Sequence, residues 1–545
     1  MPYPVLGLHV VSGYQQQPPE TTPLSYNVRG FEPTLERNRG GSRPGIVKWI
    51  STQVNGSNLI QNLNYMAVSQ TTVPRSVSIP GTPSGYVLIA TAIVNGKFRF
   101  AISGDPSPQW YLPTTDSTFW NTGTNVVRSA VMNQKLWVAD GTHWYYWDPS
   151  TAPTTGGTVT AWTASAGSLP TDSGSNAPRL ITRWHGRMCV AGLKLDPNNW
   201  FMSAVGDPTN WDFAPASPSP SEAVEGQTAT LGALAEPITA LIPYTDDVMV
   251  VGGQSSLWMI QGDPLAGGTI QLISSAIGVA FGEAWCMDPY GNIYFISNRA
   301  GVYSLVPGQQ PQRISQSIEP LLADLPIAQK NIRLLWNDRA QGFHLFITTL
   351  ASAAFDTHYF FDVRNNAWHQ DQFGNVLLNA QQYGYGNLNP IACVLMEGYT
   401  STDRVPLIGS WDGYVRSLIH TATTDDGTPI VSQVMIGPLL TKEMDDVMLK
   451  HLQALLGQTS GSVLYRVYVG ATAEIAANLA TTDLNNGTTA NAVAAGTWSA
   501  GRNFTSQIRR AGHAIYVVLT SQNPWSFEGL RAYIQGEGKV RQRGR

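Results

Sequence analysis

Histidine and cysteine have the widest chemical repertoire of any residues in this chain, and their spacing organises none of it. The histidines are scattered: His9, His143, His185, His344, His358, His369, His420, His451 and His513. No two fall in the His-Glu-x-x-His pattern that turns a pair of imidazoles onto one helix face around zinc. Cys189, Cys286 and Cys393 are far apart in apolar surroundings. An odd number without metal or redox spacing reads as buried structural thiols in a reducing cytoplasm. No Gly-x-Ser-x-Gly elbow, phosphate-binding Gly-x4-Gly-Lys loop or calcium loop occurs. Gly40-Gly41-Ser42-Arg43 is glycine-rich but has no strand–turn–helix context.

The run Ser103-Gly104-Asp105-Pro106-Ser107-Pro108-Gln109-Trp110 resembles the Asp-box of sialidase propellers, Ser-x-Asp-x-Gly-x-Thr-Trp, and departs from it at Ser107 and Gln109. An Asp-box pins a hairpin turn and is not catalytic, so it points to a propeller and not to a hydrolase. A sialidase also needs clustered arginines beside a Tyr/Glu pair. Arg128, Arg179, Arg183, Arg299 and Arg333 are available, and nothing in their spacing singles out three. The sequence therefore predicts no catalytic residue, no cofactor and no metal.

The elements that carry these residues follow from composition. Charged residues make up only 13%, while Gly (52), Pro (35) and Trp (17) are plentiful. That balance suits many short strands joined by turns. The apolar fraction of 43% is ordinary for a folded protein, and 545 residues exceed one core. Strands are expected at 86–94, 97–103, 127–132, 135–140 and 143–147, with Asn95-Gly96 and Asp140-Gly141 as two-residue hairpin turns. A strand, turn and aromatic strand then recur: 135–141 leading to Tyr145, 248–253 to Trp258, 292–296 to Gly301 and Tyr303, 405–409 to Gly413 and Tyr414. Gly141, Gly253, Gly301 and Gly413 are separated by 112, 48 and 112 residues. The larger gaps are near twice the length of one propeller blade, about 50 residues. The intervening copies are 187–192 with 200–202, and 343–347 with 359–361.

The expected fold is all-β: a multi-bladed propeller of about seven blades over 81–427, an extended N-terminal arm over 1–80, and a C-terminal β-sandwich over 428–545. Segments 150–178 and 214–236, rich in small residues and Pro, are expected as rim loops. In the sandwich, 463–469, 514–519 and 525–534 read as strands. Residues 443–456 fit both helical and strand spacing, 474–480 one or two helical turns, and 481–500 a loop. No stretch reaches about eighteen apolar residues, so no membrane span is expected. No basic region precedes an apolar run, so no signal peptide is expected either.

Three passages, in this order, resemble the tail nozzle proteins of short-tailed bacteriophages, also described as tail tubular or packaged-DNA stabilisation proteins. The first is Asn27-Val28-Arg29 followed by Arg37-Asn38-Arg39-Gly40-Gly41-Ser42-Arg43-Pro44-Gly45. The second is 187–192, then Ser203 and 206–213. The third is Leu335-Trp336-Asn337, continuing to Tyr359, Asp362 and Trp368. With the sandwich, the likeness spans almost the whole chain. It implies a structural virion protein in the virion tail, made in the host cytoplasm. Six copies would form a ring below the portal and head-to-tail adaptor, contacting tail fibre or needle proteins, with genomic DNA passing through without sequence specificity.

The formal charge is −4 with a pI near 6.1, which gives no general attraction for DNA. A channel for sliding DNA should not grip phosphates. Both ends are basic, and the candidate assembly contacts are Arg29, Arg37, Arg39 and Arg43 in the arm and Arg509, Arg510, Arg531, Lys539, Arg541 and Arg543 at the other end. The alternative is a glycan-binding, receptor-recognising propeller of a phage tail.

Overall fold

The computed structural model describes residues 3–32, 36–70, 85–227, 229, 231–350, 353, 356–374, 376–378, 381–383, 386–399, 404–440, 446–505 and 508–536. Seven antiparallel sheets follow one another along the chain, each beginning with its innermost strand. Those first strands are Ile60–Ser69, Arg128–Met132, Leu180–Trp184, Ile238–Pro243, Trp285–Met287, Lys330–Asn337 and Pro390–Met396. Most of their residues are buried, as a sheet needs when neighbours cover it on either side, and the polar ones among them, such as Gln61, Asn62, Arg128 and Arg333, are buried too. Seven hydrophobic clusters result, one between each adjacent pair of blades. One of them joins Ile60, Leu63 and Ala92 of blade 1 to Ala392, Met396 and Leu407 of blade 7, closing the ring. The chain is therefore a seven-bladed β-propeller, extended by a sandwich.

The ring closes earlier in the sequence than the expected boundary at 81. Ile60–Ser69 is the inner strand of blade 1, and Ile46–Lys48 is the outer strand of blade 7, pairing with Val415–Leu418. The prolines before Ile46 hid both strands, because they gave the whole segment an irregular texture. The expected rim loops also contain structure. Thr158–Ala161 is the outer strand of blade 2 and Val224–Glu225 that of blade 3. Outer strands are half-exposed and short, so small polar residues serve there.

Asn95-Gly96 makes the expected two-residue turn, with φ of 50° and 72°. Asp140-Gly141 does not. Its strands are Lys135–Ala139 and Trp144–Asp148, leaving four residues between them. The Asp140 carboxylate accepts the backbone N–H groups of Thr142 and His143 there. Asp105 likewise accepts from Ser107 N–H and from the Tyr111 hydroxyl, at 2.8 and 2.6 Å, which is the turn-pinning role expected of that motif.

The C-terminal unit packs two sheets face to face. One holds Ser432–Leu440, Ala514–Ser521, Val463–Gly470 and Ala494–Trp498. The other holds Val447–Leu456, Gly501–Thr505, Arg510–Gly512 and Phe527–Gly536. The ambiguous segment 443–456 thus contributes a strand, chosen by tertiary pairing on both its edges. The short turns expected at 474–480 are a four-turn helix, Ala473–Asn486, and the loop expected at 481–500 holds its end and a strand. Thr472 caps its N-terminus and Gly487, at φ 62°, ends it. Ala473, Ala476, Ala477 and Ala480 are buried, which lets the helix lie close on Tyr468, Tyr516 and Val518. This helix covers the outer face of the first sheet.

Candidate functional site

The arm is part of the core. Ser25–Tyr26 pairs in parallel with Ala367–Asp371 of blade 6 and antiparallel with Ser432–Leu440 of the sandwich. One sheet of nine strands thus runs from propeller to sandwich through the arm. Tyr3 and Val28 enter the sandwich core beside Trp525 and Phe527.

Two arginines fasten this joint. Arg29, 5% exposed, donates through Nη1 and Nη2 to the two carboxylate oxygens of Asp371, both at 2.6 Å, and lies over the Phe360 ring. Arg43, 2% exposed, grips Asp425 bidentately at 2.9 and 2.6 Å over Phe373. Its Nε donates to Asn27 Oδ1, and the Asn27 amide reaches Val431 O in the sandwich. Burial alone would raise the Asp371 carboxyl. The Arg29 charge, His344 facing it at 3.8 Å and the Arg43 charge outweigh that and hold it well below the usual carboxylate range. Beneath the clamp lies a cavity of about 450 Å³ between blades 6 and 7, lined by Arg29, Arg43, His344, Phe360 and Phe373 among others.

The candidate assembly residues therefore divide. Arg29 and Arg43 are consumed inside the chain, so they are not free to dock on another protein: their partners are blade 6, the 425 turn and, through Asn27, the sandwich. Arg39 pairs with Glu32 and with Glu528 of the sandwich. Arg37 forms a backbone bridge with Glu32. Arg509, Arg510 and Arg531 are exposed on or beside the second sandwich sheet. Lys539, Arg541 and Arg543 lie outside the described residues.

That second sheet carries more than the arginines picked from sequence. Its outer face exposes Leu455 and Phe504, the latter at 57%, with His451 and Tyr533 stacked beside Phe504. Lys450 and Arg502 are exposed on the same strands. Their positions were readable only once the strand pairing was known.

A second arginine group, not singled out by spacing, lies on the propeller axis. Arg128 of blade 2 stands over the Phe281 ring at 5.3 Å, and Arg179, just before blade 3, over the same ring at 4.7 Å. Arg333 of blade 6 is pressed against the Glu283 carboxylate. Burial, then the Arg179 charge, brings the Arg128 guanidinium down to about 10. Burial, then the Arg128 charge, brings Arg333 down to about 9. Blades 2 and 6 are not neighbours, so these two side chains meet only across the axial channel. Sequence distance concealed the group.

Among the described residues no cluster of three or more His, Cys, Asp or Glu side chains could hold a metal ion. Cys189 and Cys286 are buried and Cys393 is half-buried; none forms a disulfide. Burial pushes Cys189 up to about 12 and Cys393 up to about 11. No described helix is long and apolar enough to cross a membrane.

No family model and no curated protein matches this sequence. Among solved structures, virginiamycin B lyase from Staphylococcus aureus is similar over 65% of this chain and 99% of its own, with 8% identity and a TM-score of 0.37. The extracellular domain of a protein described as a one-component system from B. thetaiotaomicron is similar over 92% of this chain and 61% of its own, with 10% identity and a TM-score of 0.41.

Proposed function

We propose that this chain is a structural virion protein, a subunit of the ring-shaped tail nozzle of a short-tailed phage. In this reading six copies extend the portal and adaptor channel, retain packaged DNA and release it at ejection, without catalysing a reaction. One observation carries it beyond the resemblance. The second sandwich sheet presents a face that is apolar at Leu455, Phe504 and Tyr533 and basic at Arg502 and Arg531, with Lys450 and Arg510 exposed on neighbouring positions of its strands. The first sheet has its helix; among the described residues the second has none. An apolar patch rimmed by one sign of charge suits a permanent protein partner of opposite sign. The occupant assigned here is an acidic surface of the upstream adaptor ring.

The three passages that carry the family resemblance also sit at structural joints. Arg29 and Arg43 fasten arm to propeller, Arg187 is fully buried against Asp263 and Ser203 O, and Trp368 bonds Ile314 O. The DNA passage in this reading lies between subunits, on the ring axis. The cavity on the axis of one propeller is about 290 Å³, too small for a duplex whose major groove alone is about 12 Å wide. Electron-microscopic reconstruction of the particle that contains the protein tests the reading. Six copies around an axial channel, with the sandwich toward the head, support it. Three-fold or five-fold copies without a channel refute it.

A further inference from the structure

The arginine group at the mouth of the propeller axis has an unusual charge balance for a buried site. Arg128 is 6% exposed, and its Nε has no hydrogen-bond partner; Arg333 is 2% exposed, and its Nε has none either. Glu283 faces Arg333. Among the described residues no carboxylate pairs with Arg128 or Arg179; Arg179 gives its Nε to Gly192 O. A buried cation without a counter-charge costs several kcal/mol, and a fold normally supplies a carboxylate to meet it.

The backbone is shaped to keep Arg128 where it is. Gly282 has φ +103°, and a Cβ there would run into the Arg128 guanidinium. Two separate features of the Phe281-Gly282-Glu283 turn thus serve one side chain: the ring it stands over and the gap it fills. The adjoining cavity of about 290 Å³ is bounded by Arg128, Arg183, Leu180, Leu241, Trp285 and Glu283, whose carboxylate is taken up by Arg333. It lies where the inner strands begin, so it opens beside the loops that join one blade to the next.

We propose that this mouth is a binding site for a small organic oxyanion, a carboxylate or phosphate, held by Arg128 and Arg183 against the Trp285 side of the cavity, with Phe281 and Arg179 stacked behind Arg128. The guanidinium fork matches both oxyanions bidentately, which is the shared chemistry. The volume suits a small molecule, not a polymer strand. The inference stands apart from the assembly reading, because the site lies on the axis of a single propeller.

The test is calorimetric titration and thermal unfolding of the full chain with glucuronate and with inorganic phosphate, each against sodium chloride at equal ionic strength. Saturable binding of one equivalent per chain is expected. Binding of phosphate alone identifies a phosphorylated ligand, and binding of glucuronate alone a carboxylated one; either supports the site. Arg128→Met should weaken binding at least ~10-fold, the loss of one charge-assisted pair. Without anion it should melt no lower than wild type, since it removes an unpaired buried charge. Arg183→Met alters an exposed residue that lines the same cavity and serves as the variant that leaves the fold intact; it should weaken binding ~3-fold or more. Absence of saturable binding by either anion overturns the proposal. So does stabilisation that follows ionic strength alone, or an Arg128→Met protein that melts lower and binds as before.

Discussion

At the joint between arm and blade 6, buried guanidiniums meet buried carboxylates at 2.6 Å. At the axial mouth Arg128 is buried to a similar degree and meets an aromatic ring, a glycine backbone and other guanidiniums. The first arrangement is closed. Each charge is neutralised and hydrogen-bonded, and the geometry joins segments more than three hundred residues apart in sequence. The second is open, with its charge facing a cavity. Burial of arginine alone therefore says little about role; the partner does. Paired burial fixes the fold, and unpaired burial beside a cavity marks a place for a ligand.

The largest expected effect separates the two uses of the arm. Deleting residues 1–45 removes the clamp but leaves Ile46–Lys48 to close blade 7. Deleting 1–58 removes that strand together with the buried Ile50 and Val54. The shorter deletion should yield a protease-resistant propeller with a loosened, cleavable sandwich. The longer one should lose the propeller too. Limited proteolysis with mass analysis reads the difference, and equal resistance of both proteins would show that the strand is dispensable.

Acid should act next, and on the clamp side. His344, His358 and His369 are buried in blade 6, and burial pushes all three below their ordinary range, His369 to about 3. His358 is held neutral by accepting Ile347 N–H at Nδ1, with Asn389 Oδ1 facing Nε2. The unfolded chain binds these protons below about pH 6.5 and the folded chain does not, so stability is full above that pH and falls beneath it. Each histidine contributes about 1.4 kcal/mol per pH unit until its folded value is reached. Asp371 adds nothing in that window, because its folded value is depressed; its contribution is full above about pH 4 and is lost only below. Denaturant midpoints should hold from pH 7.5 to about 6.5 and fall from there to pH 5. His369→Phe should flatten the slope by about one proton's worth.

Breaking a single clamp pair comes third. Arg29→Met should cost about 3 kcal/mol, because it strips buried Asp371 of its bidentate partner and leaves it only Arg43 and His344, at 3.9 and 3.8 Å. The contrast with Arg128→Met, which leaves no stranded partner among the described residues, is the sharpest form of the comparison. Equal losses in the two variants, measured by chemical denaturation, would remove the distinction.

How far the sequence carried this reading depends on what each residue's signal is made of. The seven blades were legible because inner and middle strands are continuous apolar runs broken at turns such as Asn95-Gly96, and those patterns are local. The strand Ile46–Lys48 was missed because its partner lies more than three hundred residues away, and Ile60–Ser69 because Gln61, Asn62 and Asn64 break its apolar pattern and a Pro- and Gly-rich stretch separates it from its partner in sequence. Thr158–Ala161 was missed because a half-exposed edge strand needs no apolar pattern. Among site residues, the basic ends were visible as charge. That Arg29 and Arg43 are spent internally was not, because Asp371 and Asp425 are distant in sequence. The axial group was invisible for the same reason: Arg128, Arg179 and Arg333 converge only when a ring closes.

The smallest effect on stability concerns the exposed arginines, and there the functional contrast should be greatest. Arg509, Arg510 and Arg531 are solvent-exposed, and among the described residues none of them forms an ion pair. Alanine at all three should shift stability by no more than about 0.5 kcal/mol each, as surface substitutions do. If the second sandwich sheet docks on an acidic ring, the triple variant should fold normally yet fail to join the particle, and raising the salt should weaken the wild type in the same direction. Incorporation measured by particle composition, alongside a thermal melt of the free protein, separates the two readouts. A triple variant that melts and incorporates like wild type would leave those arginines as ordinary solvated surface, and the assembly contact would have to lie on Leu455, Phe504 and Tyr533 alone.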